Sequence, residues 1–352
     1  MSEITINIIK IFTLATAGFV LAFLVAPFYI SFLYKTKAWR KEIRTKSIDG
    51  KEIPFFIKFH EKKEIYTPRL GGALIWGSVL LVSFVFFILS YTNIWWFQKL
   101  NFLSRSQTWL PLFALIAASL VGLVDDVLQV FGKGKYIGGG LRLKFRLFLV
   151  FLIGLIGSVW FYYKLGFETI HVPGMGDFYI GIWYVPFFIL VTLAVYSGGV
   201  IDGLDGLSGG AFASMFTAFA GIALFRGQID LASFCLVVTG AILAFLWFNI
   251  PPARFYMTET GTMGLCAALT VVAFLTDSVL VLPIIGFLLV IESGSVILQL
   301  LSKKFLKKKL FLAAPLHHHF EAKGWPHYKV TMRFWVVGVV MAIIGVTIRL
   351  IG

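Results

Sequence analysis

Charge is scarce in this chain. Of its 352 residues only 14% are Asp, Glu, Lys or Arg, against roughly a quarter in soluble globular proteins. Charge so sparse cannot cover the surface of a soluble protein of this size, which excludes a soluble globular fold. Cysteine is scarcer still. Cys235 and Cys266 both lie inside apolar runs, with no metal-ligand spacing and no disulfide framework. Acids number 17 against 31 Lys and Arg. No soluble domain, low-complexity linker or internal repeat interrupts the pattern, so residues 1–352 read as one domain.

What is abundant is apolar. Hydrophobic residues make up 59% of the chain and Phe alone contributes 37. They fall in runs at about 6–34, 71–91, 109–124, 145–165, 183–201, 206–225, 231–249, 260–276, 279–301 and 333–351. Each is near the ~20 residues that cross a hydrocarbon core as a helix. The expected fold is therefore all-α, a polytopic integral membrane protein with about ten transmembrane helices. The first run is too long for a signal-peptide core and reads as a retained span. Most of the Lys and Arg fall in the segments around 35–70, 125–144, 202–205, 250–259 and 302–332. By the positive-inside rule those segments face the cytoplasm, and both termini are outside. The net charge of +14 thus reports topology, not a nucleic-acid footprint.

The acids gather on that same predicted face. Asp125 and Asp126 end the third run, Asp202 and Asp205 join the fifth and sixth, and Glu259 opens the eighth. Four separate stretches, counting the histidines after the ninth run, are brought to one surface by topology alone. Carboxylates at a membrane edge are costly and often functional. Asp125 and Asp126 would also sit at a helix C-terminus, where the dipole disfavours each by about 0.3–1 kcal/mol. A metal ion or cationic partner would relieve that cost. The bland alternative is a pair of solvated loop acids.

The stretch Ser197-Gly198-Gly199-Val200-Ile201-Asp202-Gly203-Leu204-Asp205-Gly206-Leu207-Ser208-Gly209-Gly210 is more specific. Dense glycine lets backbone approach a ligand, and the stretch leads into a helix N-terminus that favours anions and acceptors. A small-residue membrane turn is the structural alternative. His317, His318 and His319 suit metal, phosphate or proton chemistry. Neighbours i and i+1 diverge on a helix, so at most one or two of them reach a site. Glu292, in Val290-Ile291-Glu292-Ser293-Gly294-Ser295, reads as a structural carboxyl at a helix break near Gly294.

Further segments complete the pattern: Thr67-Pro68 with Gly71-Gly72, Val124-Asp125-Asp126, Gly140-Leu141 with Lys144 and Arg146, and Asp202-Gly203-Leu204-Asp205-Gly206-Leu207. Then come Phe245-Leu246-Trp247-Phe248-Asn249, Pro252-Ala253, Ser295-Val296-Ile297-Leu298-Gln299, Ala314-Pro315-Leu316-His317-His318-His319, Lys323-Gly324-Trp325-Pro326 and Arg333-Phe334-Trp335. In this order the chain resembles the bacterial phospho-N-acetylmuramoyl-pentapeptide transferases (translocase I), within the polyprenyl-phosphate N-acetylhexosamine-1-phosphate transferase superfamily. The resemblance covers most of the chain.

That resemblance implies a ten-span, homodimeric enzyme of the bacterial inner membrane, with a Mg²⁺-dependent site on the cytoplasmic face. It would move phospho-N-acetylmuramoyl-pentapeptide from its UDP carrier to undecaprenyl phosphate, releasing UMP. It also implies roles. Asp125 is the base or attacker beside the polyprenyl phosphate, and Asp126 supports it or the metal. Asp202, His317 and His318 join them as catalytic positions. Lys63, Lys144 and Arg146 lie near the phosphates. Leu204, Asp205 and Asn249 match the uridine pocket, with Tyr256 in the stacking position. Gln299 and His319 line the nucleotide–sugar side. The metal falls to Glu259 with Asp125 and Asp126.

The chain departs from the family in places. Glu259 stands where Asp is usual, Gly199 where Asn is, Gln129 where Lys is, and Arg69 where Thr is. The segment Lys62-Lys63-Glu64-Ile65-Tyr66 disturbs the usual Lys-x-Gly-Thr. A different UDP-linked amino sugar is one alternative substrate. A lipid transporter or flippase is the alternative from another class, and would predict midplane charges and repeats.

Overall fold

The apolar runs fold as helices because no water in a bilayer core can satisfy backbone N–H and C=O groups. The computed structural model describes residues 2–41, 66–104, 106–134 and 139–352. Lys63 and most of the first basic loop lie outside the described residues. The long helices are α1 (Glu3–Lys35), α2 (Gly72–Leu89), α3 (Trp109–Phe131), α4 (Leu143–Val159), α5 (Tyr184–Ser197), α6 (Leu207–Phe225), α7 (Ile229–Asn249) and α8 (Thr258–Leu275). After them come α9 (Phe287–Leu301), the short α10 (Leu316–Ala322) and α11 (His327–Ile351). The protein is an all-α polytopic membrane protein. Among the described residues its one strand pairing is a hairpin, β1 (Thr169–Val172) with β2 (Gly176–Tyr179), His171 opposite Asp177.

Nine helices are long and apolar enough to cross a membrane, among the described residues. The ninth expected run, 279–301, is broken. A turn at Leu282–Ile285 stops at Gly286, and α9 then continues through a wider turn to Leu306. The break falls at Gly286, not near Gly294 as the sequence suggested, and Gly294 lies within α9. The segment still traverses the bundle. It leaves the end where Arg349 Nε donates to Ser278 Oγ (3.0 Å) and reaches the end where Gln299 holds Phe311. The first end also carries the Lys10–Asp230 ion pair (2.7 Å) and the contact of His171 with Gly352. The early turns of α1 and Gly352 therefore share one end of the bundle, and the acid-rich segments occupy the other.

The centre of the bundle is α8, buried along almost its whole length. Its N-terminal half is small: Gly261, Gly264, Cys266, Ala267 and Ala268. Small residues let membrane helices approach backbone to backbone. A Cβ at Gly72 of α2 would overlap the Gly261 backbone, and one at Gly122 of α3 would overlap the backbone of Glu259 and Thr260. These two contacts press the first turn of α8 against α2 and α3. Gly122→Ala is expected to cost about 1–3 kcal/mol by overpacking, read as a lower Tm of the detergent-solubilised protein. Gly77→Ala in α2, with nothing within 4 Å of the added carbon, is expected to leave Tm unchanged or slightly higher.

Candidate active site

The helix α3 runs on to Phe131 and closes with Gly132 in the left-handed conformation (φ 65°). Asp125 and Asp126 are thus more than a turn inside the helix, not at its end. The helix-end dipole penalty expected from the sequence does not apply, because that field fades within the last turn. Instead Asp126 faces the start of α8. Its Oδ2 accepts from the Thr260 N–H (2.8 Å) and from the hydroxyls of Thr258 (2.5 Å) and Thr260 (2.6 Å). Its Oδ1 accepts from Arg69 Nη2 at 3.2 Å. No side chain of α8's own N-cap does this job, so a carboxylate from another helix satisfies the first-turn donors and complements the positive end of the dipole.

Thr258 enters α8 with φ +57°. For a β-branched residue this is an outlier costing about 1–3 kcal/mol. Two carboxylates hold it there. Asp126 takes its hydroxyl, and Asp202 Oδ2 takes its backbone N–H at 2.7 Å. The other oxygen of Asp202 accepts from Ser208 Oγ at 2.6 Å. Asp202 is half-buried as a residue but its carboxyl is enclosed. Burial pushes that carboxyl above the usual carboxylate range, against the opposing pull of the Ser208 and Thr258 bonds and of Arg69.

Asp125, also buried, uses Oδ1 to accept from the Leu141 N–H (2.5 Å) and Oδ2 to accept from Gln129 Nε2 (2.6 Å). Gln129 in turn accepts from Arg40. Arg146, on the first turn of α4, places its Nη1 3.6 Å from Asp125 and in a direct ion pair with Glu259. One guanidinium therefore bridges α3 and α8. The sequence departures at Gln129 and Arg69 are both members of this network.

The glycine-rich turn forms the adjoining wall. Gly206 adopts φ +78° and donates its N–H to Asn249 Oδ1 (3.0 Å), while Asn249 Nδ2 donates to Phe255 O (2.8 Å). Asp205 Oδ2 accepts from the Ala253 N–H (3.3 Å), and its carbonyl accepts from Thr331 (3.1 Å). Leu204 is buried beside them and Tyr256 is half-buried. Asn249 thus braces the turn with both ends of its amide. Gln299 does likewise for residues 310–311, accepting from two backbone N–H groups and donating to Phe311 O. Lys144 projects exposed from α4.

The three histidines part ways, as neighbours on a helix must. His317 is fully buried against Gly203, with Nδ1 2.8 Å from Glu292 Oε2. His318 Nδ1 pairs with Glu321 Oε2 at 2.5 Å, and Glu321 also meets His327. His319 Nδ1 accepts from the Leu312 N–H. Burial, and then the nearby Lys323, push the His319 ring below its ordinary pKa.

Among the described residues, the expected carboxylates gather at one end of the bundle. Asp125, Asp126, Asp202, Arg146 and Glu259 are joined by shared partners. Leu204, Asp205 and Asn249 shape the next turn, and His317 closes on it. Sequence reasoning missed Thr258, Thr260 and Arg40 as members. The signal for the threonines was their position at a helix start, where hydroxyl residues serve as caps. A divalent ion such as Mg²⁺ takes oxygen ligands, using one or two carboxylates with substrate phosphates. Glu259 and Asp125 fit that donor set. Asp126, the third expected ligand, carries the same donor type, with Oδ2 bonded to the start of α8 and Oδ1 to Arg69. Thr260→Val keeps shape but deletes one charge-assisted bond to Asp126, and is expected to cost about 1.5–3 kcal/mol, measured by thermal unfolding.

Residues 108–277 match the family described as Glycosyl transferase family 4. The chain is 36% identical over 338 residues to the phospho-N-acetylmuramoyl-pentapeptide-transferase of Geobacillus thermodenitrificans (strain NG80-2), covering 94% of this chain and 95% of the relative. The protein of the same name from Bacillus subtilis (strain 168) is 36% identical over 338 residues, with the same two coverages. That from Levilactobacillus brevis is 36% identical over 295 residues, covering 83% of this chain and 87% of the relative.

Proposed function

The chain belongs to the phospho-N-acetylmuramoyl-pentapeptide transferases, and from that premise we propose that its acid-rich end transfers phospho-N-acetylmuramoyl-pentapeptide from UDP to undecaprenyl phosphate. UMP leaves and a lipid-linked peptidoglycan intermediate forms. The observation that carries the reading is the junction of α3, α4 and α8, where Asp125, Asp126 and Glu259 meet Arg69 and Arg146. Phosphoryl transfer needs positioning and charge neutralisation more than covalent help from the protein. A junction that holds carboxylates and guanidiniums at the end of a membrane bundle supplies both, and a lipid acceptor explains its place beside the bilayer.

The roles divide by what each side chain already holds. Asp126 and Asp202 anchor the strained start of α8. Asp125 takes the proton of the acceptor phosphate. Arg146, shared between Asp125 and Glu259, exchanges carboxylate for phosphate oxygens when substrates arrive. Glu259 and Asp125, with Asp126 beside them, would hold Mg²⁺, which would supply charge neutralisation at the pyrophosphate. Lys144 attracts the anionic donor and Tyr256 stacks on its base. Leu204, Asp205 and Asn249 shape the nucleoside side, and His318, Gln299 and His319 border the sugar side. Lys63 serves the phosphates. The site faces the cytoplasm of a bacterial inner membrane, and the enzyme works as a homodimer.

The test is UMP release by purified protein with UDP-N-acetylmuramoyl-pentapeptide and undecaprenyl phosphate, with and without Mg²⁺. Metal-dependent release is expected in the parent. Asp125→Ala and Glu259→Ala are each expected to lower kcat about 10²–10⁴-fold in protein that still unfolds cooperatively. Release with another UDP-amino sugar but not this one would move the protein to a different substrate. Release unaffected by chelation would remove the metal from the reading.

A further inference from the structure

Glu292 is the one carboxyl deep in α9, and none of the roles above uses it. It is fully buried, and so is His317. Both of its oxygens accept from that single residue: Oε1 from the His317 backbone N–H at 3.2 Å, Oε2 from the ring Nδ1 at 2.8 Å. Two acceptor oxygens facing Nδ1 and N place the imidazole proton on Nδ1. The other ring nitrogen, Nε2, is buried and has no hydrogen-bond partner among the described residues. It lies against Gly203, where a Cβ would collide with the ring. An unpaired buried polar atom costs about 1–3 kcal/mol. Here it is aimed into the Asp202–Asp205 turn, beside the carboxyl that steadies Thr258.

His319 is held the opposite way. Its Nδ1 is an acceptor, so its proton lies on Nε2. Of these two histidines only His317 offers a bare Nε2 toward the turn. We propose that Glu292 is a positioning residue for the reaction: it fixes the proton of His317 on Nδ1, so that Nε2 is presented as an acceptor to a hydroxyl or amide of the nucleotide–sugar donor over the Asp202–Asp205 turn. The inference rests on the transferase reading and adds a residue to it. It replaces the purely structural role that the sequence suggested for Glu292.

The discriminating variant is Glu292→Gln. An amide offers one acceptor and one donor group where the carboxyl offered two acceptors. The backbone N–H of His317 cannot give up its proton, so the amide oxygen turns to it. The amide nitrogen then faces Nδ1, and the ring proton moves to Nε2. Solid-state NMR of protein with ¹⁵N-labelled histidine reads that switch directly, beside the kinetics of UMP release. The expected result is a switched tautomer for one histidine and a kcat/KM for the nucleotide–sugar donor lower by about 10–100-fold, on the scale known for the outer partner of a metal-ligating histidine, with KM for undecaprenyl phosphate little changed. A switched tautomer with unchanged kcat/KM for the donor would overturn the proposal, and so would an unswitched tautomer.

The substitution sits at a fully buried position, so His317→Asn provides a second route. Its side-chain amide nitrogen stands where Nδ1 stood and keeps both Glu292 oxygens satisfied, while Nε2 is deleted. This variant is expected to fold and to lose kcat/KM for the donor to the same extent. Full activity in it would overturn the proposal. A parent protein that releases no UMP with any UDP-amino sugar would overturn the transferase reading and the catalytic role together. The histidine spectra would then still show whether Glu292 sets the tautomer, separating that failure from a failure of the pairing itself.

Discussion

The carboxylate of Asp126 is the point on which the active end depends. It reaches from α3 to the first turn of α8, accepts from three donors there and meets Arg69 on its other oxygen. Removing it would leave the Thr260 N–H and two hydroxyls without their acceptor in a site that water does not reach, and would leave Thr258 in a backbone conformation it does not prefer. Everything else follows from the placement it enforces. Glu259 is carried to Arg146, Thr258 is carried to Asp202, and the glycine-rich turn is thereby tied to α3 through the start of a helix that belongs to neither. The glycines at 72, 122 and 261 make the approach sterically possible. Asp126 makes it favourable.

Charge in a membrane protein has to be matched locally, and this end of the bundle shows how closely. Asp125 meets Gln129, the Leu141 N–H and Arg146. Asp202 meets Ser208 and Thr258. Glu292 meets His317, and Glu321 meets two histidines. Such pairs add little net stability against an apolar replacement of the same volume, and breaking one is far costlier than never having it. Their value lies in specifying one arrangement. The midplane charges and repeats of a transporter are correspondingly missing among the described residues. Glu292 is committed to a histidine at the active end and lines no path across the bundle.

Much of this was legible in the sequence, for identifiable reasons. Blocks of apolar residues near the length of a bilayer crossing announce helices without any need for periodicity, and the broken run at 279–301 still reads as one crossing. The convergence of Asp125, Asp202, Glu259 and His317 followed from topology alone, because alternate helix ends share a surface. Helix ends were less legible. The apolar run of α3 stops at Val124, yet the helix continues to Phe131, since Asp125, Asp126 and Gln129 find partners inside the protein and need no water. Hydropathy cannot register a polar residue that is satisfied by another helix. The same blindness placed a break at Gly294, whose neighbours Ser293 and Ser295 bond back to their own helix, and overlooked Gly286. Nor does hydropathy show that the amides of Asn249 and Gln299 brace backbone turns within the protein. Pairing partners such as Thr260 for Asp126 or Glu321 for His318 lie in contacts that no one-dimensional pattern records.

The replacement of Asp by Glu at 259 gains a physical sense from Arg146. A guanidinium shared between Asp125 and Glu259 is a cation already in place before any substrate arrives, and it keeps neighbouring carboxylates from facing one another uncompensated. Substrate brings the opposite problem, since a pyrophosphate and a lipid phosphate add several negative charges to an end of the bundle already rich in acids. Arg146 can turn toward phosphate only if something else then balances Glu259 and Asp125, and the proposed dication on those oxygen donors would do so. In the proposed reaction, ion pair and metal site would be two states of the same carboxylates, with Arg146 passing between them. The longer arm of Glu259 spans from the start of α8 to Arg146 of α4, while Asp126 is tied to the backbone and hydroxyls of the same helix start.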